Sequence, residues 1–297
     1  MKILLLGAAG QVGWELQRSL APLGEVVALD RRSTGFCGDL SDLSGLADTV
    51  HAVRPHAIVN AAAYTAVDKA ESDADNAHRV NAEAPGVLAQ AAQSVGAWLV
   101  HYSTDYVFDG SGTRPWVETD PTGPLSVYGR TKLEGENRIA QNCKDYLVLR
   151  TSWVYAARGG NFAKTMLRLA GERERLSVVN DQFGAPTGAD LLADVTAHML
   201  RSVWTKAEHA RGIYHVAAGG ETSWHGYARF VLEQAQKAGR LLKALPDAVD
   251  PVPSTAFPAP ARRPHNSRLD TDKLGKYFGL QLPDWQVGVA RMLAEIT

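Results

Sequence analysis

Three residues in the middle of the chain have the types and spacing of an acid for a carbonyl oxygen. Tyr128 and Lys132 form a Tyr-x-x-x-Lys at the start of a predicted helix, and residues four apart share one helix face. An unperturbed phenol ionises at about pH 10. A lysine ammonium beside it favours the phenolate and lowers that value. The spacing therefore predicts that Tyr128 gives a proton to a ketone oxygen and takes it back in reverse. Thr104 lies in Ser103-Thr104-Asp105, directly after a predicted strand. It can hydrogen-bond the same oxygen as charge develops there. Tyr-x-x-x-Lys also suits an ordinary amphipathic helix start, so its meaning depends on context.

Reduction of a ketone needs a hydride donor, and the N-terminus has the features of a site for one. Gly7-Ala8-Ala9-Gly10-Gln11-Val12-Gly13 follows a short apolar run and opens a helix. Glycines at this spacing permit a tight turn and a close backbone approach to a pyrophosphate. The helix N-terminus adds unpaired N–H groups and a favourable dipole. Asp30 ends the second predicted strand, where an acid accepts hydrogen bonds from adenosine ribose hydroxyls. Arg31 and Arg32 follow, and an arginine there pairs with a 2′-phosphate. Asp30 points to NADH and the arginines to NADPH, so both remain open. Asp39 and Leu40 come next, with Asp39 in reach of an adenine amino group. Asn60-Ala61-Ala62-Ala63 follows a further strand, and its small residues let a cofactor lie against the backbone.

These groups require a scaffold that delivers them to one place. Lys2–Leu6, Glu25–Leu29, Ala57–Asn60, Trp98–Tyr102 and Tyr146–Arg150 read as strands. Helical spacing fills the gaps at Gln11–Leu23, Leu43–Val53, Ala74–Val95 and Pro124–Asn142, the last starting near Ser126. Strands alternating with helices predict a Rossmann-type, doubly wound parallel sheet of the α/β class. Ligands bind such sheets at the carboxyl ends of the strands, where Gly7, Asp30, Ala61 and Thr104 fall.

The second half is less regular. Asn161–Gly171, Gly188–Val203 and Trp224–Ala238 look helical, and Leu176–Val179 and Ile213–Val216 look like strands. The proline-rich stretch from Pro246 to Pro264 reads as loop. The expected division is a dinucleotide-binding domain over 1–154 and a smaller, mainly substrate-binding C-terminal lobe over 155–297. Residues near 188–216 could return to the first domain.

Composition narrows the alternatives. The net charge is −1 over 297 residues, which gives no global attraction to nucleic acid or to a membrane surface. No apolar run approaches the roughly 20 residues of a membrane span. Met1-Lys2-Ile3 leads into four apolar residues and then a glycine, too short for a secretory signal. The two cysteines, Cys37 and Cys143, read as free thiols in a reducing, cytoplasmic setting.

The motifs together resemble the extended short-chain dehydrogenase/reductase family, which acts on nucleotide sugars. Its dTDP-4-dehydrorhamnose reductase branch is matched by residues 60–68, 103–110, 150–155, 179–187 and 263–269, a similarity that covers nearly the whole chain. The resemblance implies that Gly10, Gln11, Val12, Asp30, Asp39, Leu40, Ala63, Tyr64, Thr65 and Tyr102 line the cofactor site. Tyr128 is then the proton donor, Lys132 its partner and Thr104 its tuner. Val67, Asp105 and Trp153 would meet the deoxysugar, a tryptophan face suiting the apolar C–H surface of a sugar. The implied reaction is NADPH- or NADH-dependent reduction of the C4 ketone of dTDP-4-dehydro-L-rhamnose to dTDP-L-rhamnose. The same trio would serve a reductase forming the 6-deoxytalose epimer. A dehydratase of the superfamily would carry an acidic residue after Thr104-Asp105, where this chain has Tyr106. A regulatory, binding-only subunit related to the family would have no need of the trio. The resemblance also implies Mg²⁺ at a homodimer contact, with Glu15 and Asp190 as the matching acids. Arg263, Asn266 and Gln182 suit either a phosphate or nucleobase contact or a loop-stabilising network.

Overall fold

The computed structural model describes residues 1–205 and 210–296. The first half runs β1 (Lys2–Leu6), α1 (Gln11–Leu20), β2 (Glu25–Leu29), α2 (Leu43–Val53), β3 (Ala57–Asn60), α3 (Val67–Ala70), α4 (Ala74–His78), α5 (Ala84–Val95), β4 (Trp98–Thr104), α6 (Val127–Asn142) and β5 (Tyr146–Thr151). The second half adds β6 (Val154–Tyr155), α7 (Phe162–Glu172), β7 (Leu176–Val179), β8 (Phe183–Gly184), β9 (Thr187–Gly188), α8 (Ala189–Thr205), β10 (Gly212–His215), β11 (Thr222–Ser223), α9 (Trp224–Lys237), β12 (Val249–Val252), α10 (Asp272–Phe278) and α11 (Trp285–Ile296).

Six strands form one parallel sheet in the order β10-β5-β4-β3-β1-β2. Alternation along β1 explains why both faces are covered. Ile3 and Leu5 pack with Leu16 and Leu20 of α1 and with Leu192 and Met199 of α8. Leu4 and Leu6 pack with Leu46 of α2, Leu88 of α5 and Ile139 of α6. A run apolar at every position is what a strand buried on both faces requires. Each fully buried leucine contributes about 1.5–3 kcal/mol of transfer free energy. The fold is thus a doubly wound α/β sheet of the Rossmann type. A separate apolar core joins α7, α9 and α11 with Leu176, Val178 and Val249. From the second half of the chain, β10 pairs with β5 and α8 packs on α1, both against the main sheet.

Three local readings change. The helix expected over Gln11–Leu23 gives way after Leu20 to a 3₁₀ turn, Ala21–Leu23, with Pro22 in it. The helix expected over Ala74–Val95 contains a π-helical stretch at Arg79–Glu83. That stretch carries the buried Asn81, whose amide accepts from Tyr64 N at 2.9 Å and donates to Tyr64 O at 3.0 Å. Within the proline-rich loop, Val249–Val252 forms a strand that pairs in parallel with β7. Pro251 is tolerated because this is a two-stranded sheet, where each strand has a free edge.

Candidate active site

The sheet order reverses at β1 and β3, and such a switch point leaves a crevice at the strand ends. A cavity of about 1380 Å³ lies there. Gly7, Gly10, Gln11, Val12, Arg31, Asp39, Leu40, Ala61, Ala62, Ala63, Tyr64, Thr65, Tyr102, Tyr128 and Lys132 line it, so the structure brings together most of the residues the sequence singled out. Gly13 and Asp30 are not in the lining. A Cβ at Gly13 would stand 2.0 Å from Gly7 O, so this glycine serves the packing of α1 on the loop. Asp30 lies at the end of β2, but its Oδ1 accepts the Arg32 backbone N–H at 2.7 Å. It caps its own turn, while Arg31 faces the cavity.

The cavity fits a dinucleotide. Gly7 has φ +86°, and a Cβ there would lie 2.7 Å from Ala62 N. Only glycine lets the loop pass so close. Gly10 caps α1 without using a side chain, which leaves the N–H groups of the first turn for phosphate oxygens. Gln11 donates to Gly160 O at 3.3 Å while its buried Oε1 has no partner.

The acid–base residues stand on two adjacent elements. Ser126 caps α6, its side chain accepting from Gly129 N at 3.1 Å, and this sets the first turn that carries Tyr128. Thr104 ends β4. The Thr104 side chain lowers the Tyr128 phenol slightly against the effect of burial, and Thr104 Oγ1 donates to Asp105 Oδ1 at 3.1 Å. Tyr128 also packs edge-on against Tyr106, with ring centroids 5.5 Å apart. Burial pushes the Tyr128 phenol up to about 12. Lys132 Nζ lies 3.0 Å from His101 Nε2 and donates to Tyr102 O at 2.6 Å. Burial brings Lys132 itself down to about 8.

Of the residues expected to meet a sugar, Asp105 is buried beside Thr104, with Oδ2 unpartnered. Burial raises its carboxyl to about 6. Trp153 has φ +50° and stacks on Trp224 with centroids 3.7 Å apart, so one of its faces is already covered. Val67 starts α3 and is half-buried. The next residue, Asp68, takes the Arg263 guanidinium at 2.6 Å. Asn266 is consumed by the chain, donating to Arg114 O at 2.8 Å and Ser111 O at 3.2 Å. Gln182 is buried.

The acids suggested for a metal do not fit one. Glu15 pairs with Arg18 at 3.6 Å and Asp190 with Arg291 at 3.3 Å. Among the described residues no group of three or more His, Cys, Asp or Glu is placed to hold an ion. Sequence reasoning missed Arg158, which lines the cavity and lies over Trp14 at 3.9 Å. It also missed His101 and the Arg150–Glu136 pair. A histidine and an arginine inside otherwise apolar central strands were the available signals, since buried polar groups there need partners.

Asp105 gives a pH prediction. A carboxyl raised by burial from the ordinary aspartate value of 3.8 to about 6 favours the protonated form in the fold. Ionisation therefore costs stability as pH rises through about 6, and the cost vanishes below the unfolded value. Between pH 4 and pH 8, wild type is expected to lose up to about 3 kcal/mol relative to Asp105→Asn. Urea midpoints of both proteins at both pH values measure it, and parallel behaviour would refute the buried-carboxyl account.

Comparison with known proteins gives a consistent answer. The family model described as the RmlD substrate binding domain matches residues 1–297. The dTDP-4-dehydrorhamnose reductase of Shigella flexneri is 60% identical over 296 residues, covering 100% of this chain and 98% of that protein. The solved dTDP-4-dehydrorhamnose reductase of Clostridium acetobutylicum superposes with a TM-score of 0.90 at 36% identity, covering 100% and 99% of the two chains. That of Bacillus anthracis, solved in complex with NADP, gives 0.87 at 35% identity and covers 99% of each. The chain belongs to the RmlD substrate binding domain family, together with the dTDP-4-dehydrorhamnose reductases that it matches from end to end.

Proposed function

We propose that this chain reduces the C4 ketone of dTDP-4-dehydro-L-rhamnose to the hydroxyl of dTDP-L-rhamnose. The observation that carries the reading is that Tyr128 and Lys132 line a cavity built for a dinucleotide, with Thr104 at the adjoining end of β4. The nicotinamide, when bound, supplies hydride to the carbonyl carbon. Gly7, Gly10 and the first turn of α1 would hold the pyrophosphate, Arg31 and Asp39 the adenosine end, and Lys132 the nicotinamide ribose. Tyr128, kept protonated by burial, donates to the ketone oxygen, and Thr104 steadies that oxygen as it gains charge. Asp105 offers its unpartnered Oδ2 to a sugar hydroxyl. Arg31 faces the cavity and Asp30 does not, which supports NADPH over NADH as the better donor.

The test is turnover of enzymatically prepared dTDP-4-dehydrorhamnose, followed by cofactor absorbance with NADPH and NADH in parallel. The product is identified by NMR. A rhamnose product with higher kcat/KM for NADPH is the expected result. A 6-deoxytalose product would overturn the stereochemistry, and tight cofactor binding without turnover would overturn the enzyme reading.

A further inference from the structure

The loop between β6 and α7 is exposed at its tip, Arg158 to Gly160, yet its shape is fixed by hydrogen bonds. Asn161 Nδ2 donates to Ala156 O at 2.7 Å. Lys164 Nζ donates to Ala157 O and, at 2.9 Å, to Gly159 O. Gln11, at the start of α1, donates to Gly160 O at 3.3 Å. Gly159 has φ +75°, and a Cβ there would stand 3.5 Å from Gln11 Cγ. The loop is therefore strapped against the first turn of α1, although it belongs to the second half of the chain. It presents Arg158, which lines the cavity with its guanidinium carbon 3.9 Å from the centre of the Trp14 ring. A helical side chain leans toward the N-terminus of its helix. Trp14, four residues after the Gly10 cap, thus carries the guanidinium back toward the turn whose N–H groups are open. Trp14 is itself 47% exposed, an unusual place for an indole unless something uses its face. Contact with a π face uses none of the five N–H donors of arginine. Among the described residues no ion pair or hydrogen bond engages those donors.

We propose that Arg158 is a further cofactor-binding residue, which Trp14 holds in place to meet the pyrophosphate of the bound dinucleotide together with the first turn of α1. The inference rests on the reading of the cavity as a dinucleotide site. The charges around the cavity support this division of labour. Arg31 follows the end of β2, at the adenosine end. Lys132 donates to Tyr102 O on β4, at the nicotinamide end. Lys69 is paired with Asp73 at 3.7 Å. Among the described residues that line the cavity, this leaves Arg158 as the cation beside the first turn of α1. A pyrophosphate brings two negative charges to that turn. The helix end offers about half an elementary charge in return, and a guanidinium adds a full one with a planar fork suited to phosphate oxygens. The strap that fixes the loop means that this cation is in position before the cofactor arrives, so little ordering is left to offset the contact.

The experiment measures binding by isothermal titration calorimetry and needs no turnover. The probes are NADPH, NADH, ADP-ribose and dTDP. The first three share the pyrophosphate of the cofactor, and the last carries a diphosphate that belongs to the sugar side. Arg158→Ala is expected to weaken NADPH, NADH and ADP-ribose alike, by about tenfold, and to leave dTDP unchanged. Arg158→Lys keeps the charge without the fork and should recover part of the loss. Trp14→Leu should cost about threefold in the wild-type background and nothing more in Arg158→Ala, because Trp14 acts through the arginine. A loss confined to NADPH would move Arg158 to the 2′-phosphate, and a loss confined to dTDP would move it to the nucleotide sugar; either overturns the proposal. An equal effect of Trp14→Leu in both backgrounds overturns the role given to Trp14. If wild type and Arg158→Ala bind the dinucleotides equally well, this inference fails alone. If wild type binds none of them, the reading of the cavity fails and this inference with it.

Discussion

Tyr128→Phe is expected to lower kcat for ketone reduction by about 10²–10⁴-fold while leaving the dissociation constant for NADPH within about twofold, since a positioned proton donor contributes a factor of that size. The substitution removes one oxygen and keeps the ring, so the edge-on contact with Tyr106 at 5.5 Å survives and α6 keeps its seat. The Thr104 hydroxyl retains its bond to Asp105 Oδ1 and its acceptance of the Tyr106 N–H at 3.2 Å. The defect should therefore be confined to the chemical step. Because burial holds the phenol up at about 12, Tyr128 in the free protein stays protonated across the whole neutral range. In the reducing direction that is the form that reacts. Single-turnover rates with NADPH in excess, together with cofactor fluorescence titration, separate chemistry from binding. A variant retaining more than a tenth of wild-type rate would show that the proton comes from elsewhere.

Much of this site was legible in the sequence because its parts are local. The glycine loop, the end of β4 and the Tyr128–Lys132 spacing each combine a residue type with a strand end or a helix start. Hydrophobic periodicity locates those ends well. What the sequence could not supply was direction. Lys132 shares a helix face with Tyr128, yet its side-chain nitrogen is taken by His101 and Tyr102 O, two groups contributed by the preceding strand, β4. Asp30 stands at the right strand end, but its carboxylate turns back to the Arg32 N–H. Trp153, expected to offer a face to the sugar, is stacked on Trp224. The strand Val249–Val252 was hidden by Pro251, which argues against a central strand but not against an edge. In most of these cases a partner distant in sequence decided the outcome, and such partners are not visible in spacing.

The buried ion pair behind the site should carry a larger share of the stability than any other single polar contact around α6. Tyr128, Lys132 and Glu136 are spaced four apart and so share one face of α6. The last of them meets Arg150 of β5, whose Nε and Nη2 donate to the carboxylate at 3.0 and 2.7 Å. Ser103 of β4 donates to the same carboxylate at 2.5 Å, and the guanidinium lies over the Phe108 ring at 5.0 Å. Glu136 and Arg150 are each 2% exposed. Removing one charge leaves the other buried without compensation, a loss of about 3–5 kcal/mol. Glu136→Gln is expected to destabilise the protein by that amount in urea titration. The pair also ties α6 to the two strands that carry Ser103, Thr104 and Thr151, so the loss should reach the chemistry. Loosening α6 moves the Tyr128 hydroxyl relative to Thr104, and kcat should fall along with stability even at temperatures where the variant is fully folded. The double variant Glu136→Leu with Arg150→Met tests which part of the cost is electrostatic. Replacing a buried pair with apolar residues of similar volume is often neutral or stabilising, so the double variant should recover most of the lost stability. It should not recover kcat, because Ser103 is then without its partner and α6 without its anchor to β4. Recovery of both would mean that the pair acts through stability alone; recovery of neither would mean that its packing, not its charge, holds the helix.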